Sequence, residues 1–207
     1  MIRDHVLHKV RTALLRSAGQ APEPAPPPML KVPSVTVADR VDMFCAALGK
    51  LAGKTYVAGS PAEARSYAEA LATGRKGVAS DSAVLRECGI TDLAGVASGF
   101  GDAVAWRAAC ASADVGITGA DYALADTGTL VFFSSAEEPR LVSLLPPVHL
   151  AVVARERLLT GLDELFTLIP DPAEVSSSLV FVTGPSRTAD IEQILVRGVH
   201  GPGEIHV

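Results

Sequence analysis

The segment TGPSRTADIE (183–192) combines the residue types that bind anions in proteins. Four of its residues are candidate ligands: Gly184, Ser186, Arg187 and Thr188. A helix that begins near Thr188 would leave its first N–H groups free beside the Arg187 guanidinium, a geometry that holds phosphate, pyrophosphate or carboxylate. The alternative is that the hydroxyls only cap the helix and that Arg187 pairs at the surface with Asp190 or Glu192. The spacing alone leaves both interpretations open.

A second segment, VGITGAD (115–121), has the same local design as LVFVTGPS (179–186). In each, an apolar run predicted to be a strand ends in Thr-Gly, which makes Thr118 and Gly119 further candidate ligands. Ligands of open α/β sheets bind beyond the carboxyl ends of the strands. If the two strands are parallel, Gly119 and Gly184 lie at one edge, and their backbone amides can approach one ligand. We therefore predict a shared anion-binding recess.

The segment DYALADTGT (121–129) supplies a candidate for acid–base chemistry. Carboxylates at the mouth of a cleft act as general bases, nucleophiles or ligands of hydroxyl groups, and Asp126 is our candidate. The three residues after it are candidate substrate ligands: Thr127, Gly128 and Thr129. The alternative for Asp126 is that it starts a turn, and Asp121 is interpreted as the cap of a short helix.

His149 is a second candidate acid or base, inside an apolar strand that follows two prolines at 146–147. The prolines can set a tight corner, cis or trans, that aims the ring at a cleft. The alternative is a hydrogen-bonded core histidine. His200, in a glycine–proline turn, and Arg140 are candidate anion ligands, although Arg140 can equally pair with the glutamates at 137–138.

These residues require a scaffold, and the chain divides into an arm, a linker and a domain. Residues 1–18 have apolar side chains at helical spacing, and residues 19–33 form a proline-rich linker that cannot belong to a packed core. An isolated helix is marginally stable, so the arm is expected to dock on the domain or on a second copy, as in a homo-oligomer. The domain spans residues 34–207.

Within the domain, helical and strand patterns alternate, which predicts an α/β fold. Thr36 with Asp39, and Thr160 with Asp163, are predicted to cap two of the helices. Several strands are apolar at successive positions, as in a sheet covered on both faces. We expect a mostly parallel or mixed central sheet with helices on both faces, and a terminal strand that continues to Val207 at least. The predicted strands are 54–59, 77–80, 115–118, 129–133, 148–153, 179–183 and 204–207, and the predicted helices are 37–48, 61–71, 82–88, 102–113, 160–169 and 188–195.

Composition narrows the function classes. The 207 residues are 48% hydrophobic and 20% charged, and a net charge of −5 without a basic block disfavours a nucleic-acid surface. The most apolar stretch, 141–154, is too short to span a bilayer, so we expect a soluble, cytoplasmic protein without a membrane span. The three cysteines and five histidines lack ligand spacing. No metal or iron–sulfur cluster is therefore expected in this chain, and the cofactor stays unknown.

Four segments in residues 114–207 resemble the motifs of the LUD-domain family, in particular its lactate-utilisation protein C group. They are GITGADYALADTGTLVF, RLVSLLPPVHLAVV, VTGPSRTADIE and GVHGPGEIHV. The resemblance implies a fold like that of the NagB/RpiA/CoA-transferase group, which agrees with the α/β prediction. It also implies a role in oxidising L-lactate to pyruvate in the cytoplasm, with iron–sulfur partner proteins that carry the electrons.

The resemblance thus makes the chain a subunit that binds a small anionic metabolite, through the candidate residues named above. The alternative is a stand-alone enzyme of the same fold group that acts on a phosphorylated or CoA-linked metabolite. The family often has glutamate where Asp126 stands. The shorter side chain disfavours a nucleophile of the CoA-transferase kind at this position.

Overall fold

The computed structural model describes residues 2–20, 30–189 and 195–207. The helices are α1 (Ile2–Ala13), α2 (Val37–Lys50), α3 (Pro61–Ala72), α4 (Ala83–Glu87), α5 (Ala103–Ser112), α6 (Leu162–Leu168) and α7 (Pro172–Val175). The strands are β1 (Gly77–Ala79), β2 (Val96–Ala97), β3 (Val115–Gly119), β4 (Tyr122–Leu124), β5 (Thr129–Phe133), β6 (Val148–Val152), β7 (Leu158–Leu159), β8 (Leu179–Val182), β9 (Arg187–Ala189), β10 (Leu195–Arg197) and β11 (Glu204–His206). Among these residues, no helix has the length and apolar character needed to cross a membrane.

The central sheet has five parallel strands in the order β11-β6-β3-β1-β2. The segment after α2 continues this sheet beyond β11, because the Lys54 N–H donates to Ile205 O at 2.9 Å and the Tyr56 N–H donates to Val207 O at 2.8 Å. One face packs against α3 and α4, and the other against α5. The predicted α/β class, with a mostly parallel central sheet and helices on both faces, is confirmed.

A second sheet, which the sequence did not separate from the first, has the order β7-β4-β5-β8. In it β5 is antiparallel to β4 and β8, and β4 is parallel to β7. One face packs on α2 and on Ala151 of β6, and the other packs on α6. The two predicted strands at 129–133 and 179–183 therefore pair with each other, outside the parallel sheet.

The helix starts follow local side-chain chemistry. The Thr36 hydroxyl accepts the Asp39 N–H at 3.2 Å and donates to the Asp39 carboxylate at 2.6 Å, which confirms the predicted cap of α2. Before α6, Thr160 is not the capping residue, since that position belongs to Gly161. Thr160 instead donates both its N–H and its hydroxyl to Glu164, at 2.7 and 2.8 Å.

The helix predicted from Thr188 is wrong. Strands β9 and β10 form an antiparallel hairpin in which Arg187 lies opposite Arg197 and Thr188 lies opposite Val196. Ile191 and Ile194, on which the helical pattern depended, lie outside the described residues. The β-branched residues at 188 and 196 favour a strand, and a short apolar run fits either period.

The segment before β6 packs unusually close to the central sheet. A β carbon built on Gly116 of β3 would lie 2.0 Å from the carbonyl oxygen of Val142 and 3.0 Å from the Pro146 ring. Any side chain at this position would therefore push the 139–147 segment off the sheet. Because Gly116 has no side chain, the connection from the second sheet to β6 can cross β3 at this position.

Substitution Gly116→Ala is expected to destabilise the fold by about 1–3 kcal/mol, because the new methyl group overlaps backbone that cannot rotate away. The matched control is Gly49→Ala in α2, where an added β carbon meets no atom within 4 Å. That helical change is expected to stabilise by up to about 1 kcal/mol. Urea unfolding of both variants measures the difference, and equal stabilities would contradict the close approach.

Candidate functional site

His149 and Thr118 form a buried pair between neighbouring strands of the central sheet. The Nε2 atom of His149 lies 2.7 Å from Thr118 Oγ1, and the imidazole is fully buried, with Phe132 of the second sheet beside it. Burial, followed by the positive charge of Arg140, lowers the pKa of His149 to about 3. The ring is therefore neutral near pH 7 and lies in the core, and its Nδ1 has no hydrogen-bond partner among the described residues.

Arg140 is half-buried and is held by its own turn. Its Nη1 donates to Ser143 Oγ at 2.6 Å, and that hydroxyl donates to the Arg140 carbonyl oxygen at 3.2 Å. The expected surface pair with the glutamates at 137–138 is thus replaced by a bond to Ser143. Burial also lowers the pKa of Arg140 from its ordinary value.

The residues of the DTGT segment form a ladder of hydroxyl groups. Thr127 Oγ1 lies 3.2 Å from the Asp126 carboxylate and 2.8 Å from Thr129 Oγ1, which in turn lies 2.9 Å from Thr183 Oγ1 on the strand end of β8. The Asp126 N–H donates to Thr160 O at 3.1 Å, just beyond the paired residues of β4 and β7. Asp126 therefore occupies the turn between β4 and β5, consistent with the turn interpretation.

Two turns that contain glycine pack against the carboxyl-terminal end of α2. Gly128 has φ +66° and Gly184 has φ +80°, values that favour glycine. A β carbon on Gly128 would lie 2.5 Å from the Leu48 nitrogen, and one on Gly184 would lie 2.9 Å from Leu51 Cβ. The Arg187 guanidinium donates to the Leu51 carbonyl oxygen. We call the residues at 127–129 and 183–188 the α2-end cluster.

The β9–β10 hairpin adds a cationic face to this cluster. Arg187 and Arg197 are directly opposite in an antiparallel pair, so their side chains project from the same face. At the base of the hairpin, the His200 N–H donates to Ser186 Oγ at 3.3 Å. Thr188 alternates to the opposite face from Arg187. The structure thus brings Ser186, Arg187 and His200 together, and sequence reasoning missed Arg197 because it predicted a helix.

The shared recess predicted between Gly119 and Gly184 is wrong. Gly119 ends β3 in the parallel sheet, where an added β carbon would lie 2.4 Å from Ser82 Oγ and 2.9 Å from Val84 Cγ1. Gly184 follows β8, which is antiparallel to β5 in the other sheet and packs on Leu51. The condition for the recess was a parallel pair of strands, and the strands do not pair at all.

A cleft does lie beyond the carboxyl ends of the parallel strands, as expected for an open α/β sheet. We call it the carboxyl-end cleft and distinguish two lobes. Its polar lobe, of about 500 Å³, is bordered by the ends of β3 and β6 and by the loop after β5. Residues that line this lobe include Ser82, Gly119, Asp121, Ser134, Glu138 and Arg157.

Glu138 is the most perturbed side chain of the polar lobe. Its Oε2 accepts the Ser80 hydroxyl at 2.8 Å and the Gly119 N–H at 3.2 Å. The buried Ser82 hydroxyl is near enough to favour the ionised form slightly, but it does not reach hydrogen-bond geometry. Burial outweighs these donors and raises the pKa of Glu138 to about 8. The carboxyl group is therefore largely protonated at neutral pH.

Asp121 lies in the same lobe and does not cap a helix, since strand β4 follows it. Its Oδ2 accepts the Phe133 N–H at 2.7 Å, which joins the start of β4 to the end of β5. Burial raises the pKa of Asp121, and the bond from Phe133 and the charge of Arg157 oppose that shift. The negative charge of Asp121 in turn contributes to the raised pKa of Glu138.

The second lobe, of about 430 Å³, is mainly apolar. Val84, Glu87 and Ala154 line both lobes, so the two lobes are adjacent. The other walls of the apolar lobe include Phe44, Tyr56, Tyr67, Val152 and Val207. Volumes of this order suit small organic ligands.

Sequence reasoning missed Glu138 because SSAEEP reads as a solvated loop. The signal available was its position between two apolar runs that both proved to be buried strands. Only the crossing of the 139–147 segment over β3 brings this loop to the sheet edge. Among the described residues, no group of three or more histidine, cysteine, aspartate or glutamate side chains is placed to hold a metal ion.

The fold and the cleft define a two-sheet α/β protein with a cleft at the carboxyl ends of a parallel sheet. The chain belongs to the LUD domain family, whose model matches residues 41–207. A crystal structure of a DUF162 family protein from Deinococcus radiodurans has the same fold, with a TM-score of 0.62 and 18% sequence identity. That similarity covers 84% of this chain and 98% of the other.

Curated relatives named lactate utilization protein C match a shorter part of the chain. The identity over 94 residues is 42% for the protein of Geobacillus sp., 43% for that of Halalkalibacterium halodurans and 44% for that of Bacillus subtilis. Each match covers 44% of this chain and 39–41% of the relative. The chain thus spans about two fifths of the length of these relatives. The resemblance to the lactate-utilisation protein C group is confirmed.

Substitution Glu138→Gln is expected to stabilise the protein increasingly as the pH rises from 5 to 8. A carboxyl group whose pKa is raised by folding binds its proton more tightly in the folded state, so its contribution is lost as pH rises towards about 8. The uncharged amide keeps both hydrogen bonds and avoids this loss. The free energy of unfolding of the variant, relative to wild type, should grow by up to about 1.4 kcal/mol per pH unit.

Urea unfolding at several pH values measures this divergence. The matched control is Glu137→Gln, a change at the exposed neighbouring residue, which should leave the difference from wild type constant. A constant difference for Glu138→Gln as well would contradict a protonated Glu138.

Proposed function

We propose that this chain is a subunit of a cytoplasmic L-lactate utilisation system and that it binds a small anionic metabolite, lactate or pyruvate. Membership of the LUD domain family and the match to proteins named lactate utilization protein C support the pathway. The observation that carries the anion site is the direct opposition of Arg187 and Arg197 on one face of the hairpin. The cytoplasmic location follows from the resemblance.

Directly opposed like charges destabilise an antiparallel pair unless something neutralises them. A carboxylate between the two guanidinium groups does so, because each planar guanidinium can hold both oxygens at once. The Arg187 guanidinium gives one N–H to Leu51, and a guanidinium has five N–H donors in all. The Leu51 carbonyl oxygen, just after α2, holds this arginine in place, while Ser186 and His200 lie at the base of the same hairpin.

Oxidation of lactate to pyruvate removes two electrons and two protons. We propose that iron–sulfur proteins of the same system accept the electrons and that this chain positions the carboxylate metabolite for them. Purified chain, assayed alone with lactate and a redox dye, should form no pyruvate. Turnover by the isolated chain would contradict a subunit role.

The arm supplies a surface for assembly. Val6 and Val10 of α1 and Leu14, just after it, are spaced four residues apart, and each is about half exposed, at 51%, 49% and 59%. Such a stripe covers one face of a helix and is stabilised by burial against another surface. We propose that α1 docks on a second copy of the chain, which makes the protein a homo-oligomer.

Arg197→Ala is expected to abolish stabilisation of the protein by lactate and pyruvate in thermal-shift titrations. At a hundredfold excess over the dissociation constant, a ligand stabilises the wild type by about 2.7 kcal/mol. The control Arg107→Ala removes an exposed arginine from α5 and should keep the full shift. Equal shifts in both variants would place the ligand elsewhere. Stabilisation by ribose 5-phosphate or coenzyme A, and not by lactate or pyruvate, would favour the stand-alone enzyme.

The double substitution Val6→Ser, Val10→Ser is expected to convert an oligomer to a monomer, because it removes the apolar stripe of α1. Sedimentation velocity at several protein concentrations measures the change in mass. His8→Ser, on the opposite face of α1, is the control and should leave the mass unchanged. A wild-type chain that sediments as a monomer throughout would disprove docking between copies.

A further inference from the structure

The charge of the polar lobe does not suit the anionic metabolite proposed for the hairpin. Four acidic side chains line it: Glu87, Asp121, Glu137 and Glu138. Its cation is Arg157, whose Nη1 donates to the Tyr122 hydroxyl at 3.1 Å and whose guanidinium lies 5.3 Å from the centre of that ring. An anion in this lobe would face mostly negative groups. The carboxyl-end cleft therefore requires a ligand of another kind.

The hydrogen bonds of Glu138 indicate which of its oxygens carries the acidic hydrogen. The Ser80 hydroxyl and the Gly119 N–H both donate to Oε2. An oxygen that accepts two donors acts as the carbonyl oxygen of a protonated carboxyl group, which leaves the acidic hydrogen on Oε1. Glu138 then offers the polar lobe a hydrogen-bond donor, and the natural partner for a neutral O–H donor is a carbonyl oxygen.

One wall of the apolar lobe is made of two tyrosine rings that are held in place by stacking and hydrogen bonds. The Tyr56 and Tyr67 rings stack with centroids 4.8 Å apart at an interplanar angle of 12°. The Tyr67 hydroxyl is bonded to Nδ1 of the buried His206 at 2.7 Å, and His206 Nε2 is bonded to Glu204 at 2.8 Å. Lys54 completes this chain by pairing with Glu204. A fixed aromatic wall favours a flat or cyclic apolar group over a flexible polar one.

We propose that the carboxyl-end cleft binds an uncharged carbonyl compound with an apolar ring. The ring occupies the apolar lobe against Tyr56 and Tyr67, and the carbonyl oxygen accepts a hydrogen bond from Glu138 in the polar lobe. Donation from Glu138 polarises the carbonyl group. This site is separate from the anion site on the hairpin and does not depend on it.

Acetophenone, an uncharged aromatic ketone, is the probe, and its dissociation constant is measured by NMR titration of the full chain at pH 6.5 and 9.5. Wild type should bind it at pH 6.5 and lose affinity once Glu138 ionises, by up to about tenfold per pH unit above the pKa. Glu138→Gln should bind it equally at both pH values, because the amide does not titrate. Glu69→Gln, a change at an exposed residue of α3 that lines neither lobe, should behave as wild type, and pyruvate at the same concentration should shift no resonance of the cleft.

A second measurement needs no variant. N,N′-dicyclohexylcarbodiimide adds to protonated carboxyl groups in apolar surroundings: the carboxyl oxygen bonds to the central carbon, the proton moves to nitrogen, and rearrangement leaves a stable acylurea. At pH 7 peptide mass spectrometry should locate the adduct on Glu138, and acetophenone, but not pyruvate, should protect it. No acetophenone binding by wild type, a pH dependence that persists in Glu138→Gln, or an adduct confined to exposed carboxyl groups would each overturn the proposal.

Discussion

The close packing of the 139–147 segment on Gly116 is the constraint on which the other features depend. It joins the two sheets, because the chain leaves β5 of the second sheet and enters β6 of the first across this contact. The crossing places Glu138 at the carboxyl ends of β1 and β3 and turns Arg140 back on Ser143. It also brings His149 under Thr118. The same contact therefore determines both how the two sheets are connected and where these polar side chains lie in the interior.

Burial acts in opposite directions on the two most perturbed groups. It raises the pKa of Glu138 to about 8 and lowers that of His149 to about 3, and in both cases the neutral form is favoured. Ionisation of Glu138 costs stability as the pH rises, and protonation of His149 in the unfolded chain costs stability as the pH falls below its ordinary value. Between the ordinary pKa values of the two groups the pH dependences oppose each other, because raising the pH relieves the cost at His149 while it increases the cost at Glu138.

Local patterns predicted most of the fold, and long-range pairing explains what they missed. The Thr36 cap, the α3 and α5 helices and the buried strands β3 and β6 follow from periodicity and capping residues within a few positions. The partner of β8 is the distant strand β5, so a Thr-Gly ending alone could not place it. The hairpin at Arg187 is local, and it was missed because a short apolar run fits either a helix or a strand. Glu138 is the clearest case, because nothing in SSAEEP distinguishes a solvated loop from one folded under a neighbouring segment. Asp126 and His149 were recognised as unusual residues, but their surroundings are a turn and a core.

The pairing of Lys54 with β11 has a consequence for biosynthesis. The backbone of residues 54–56 bonds to that of residues 205–207, so two segments separated by most of the chain form one edge of the central sheet. Contacts of such high sequence separation form late and slowly. A chain emerging from the ribosome therefore exposes the edge of β6 until β11 has also been released. In that interval the unpaired edge makes the nascent protein open to aggregation or to binding by a chaperone.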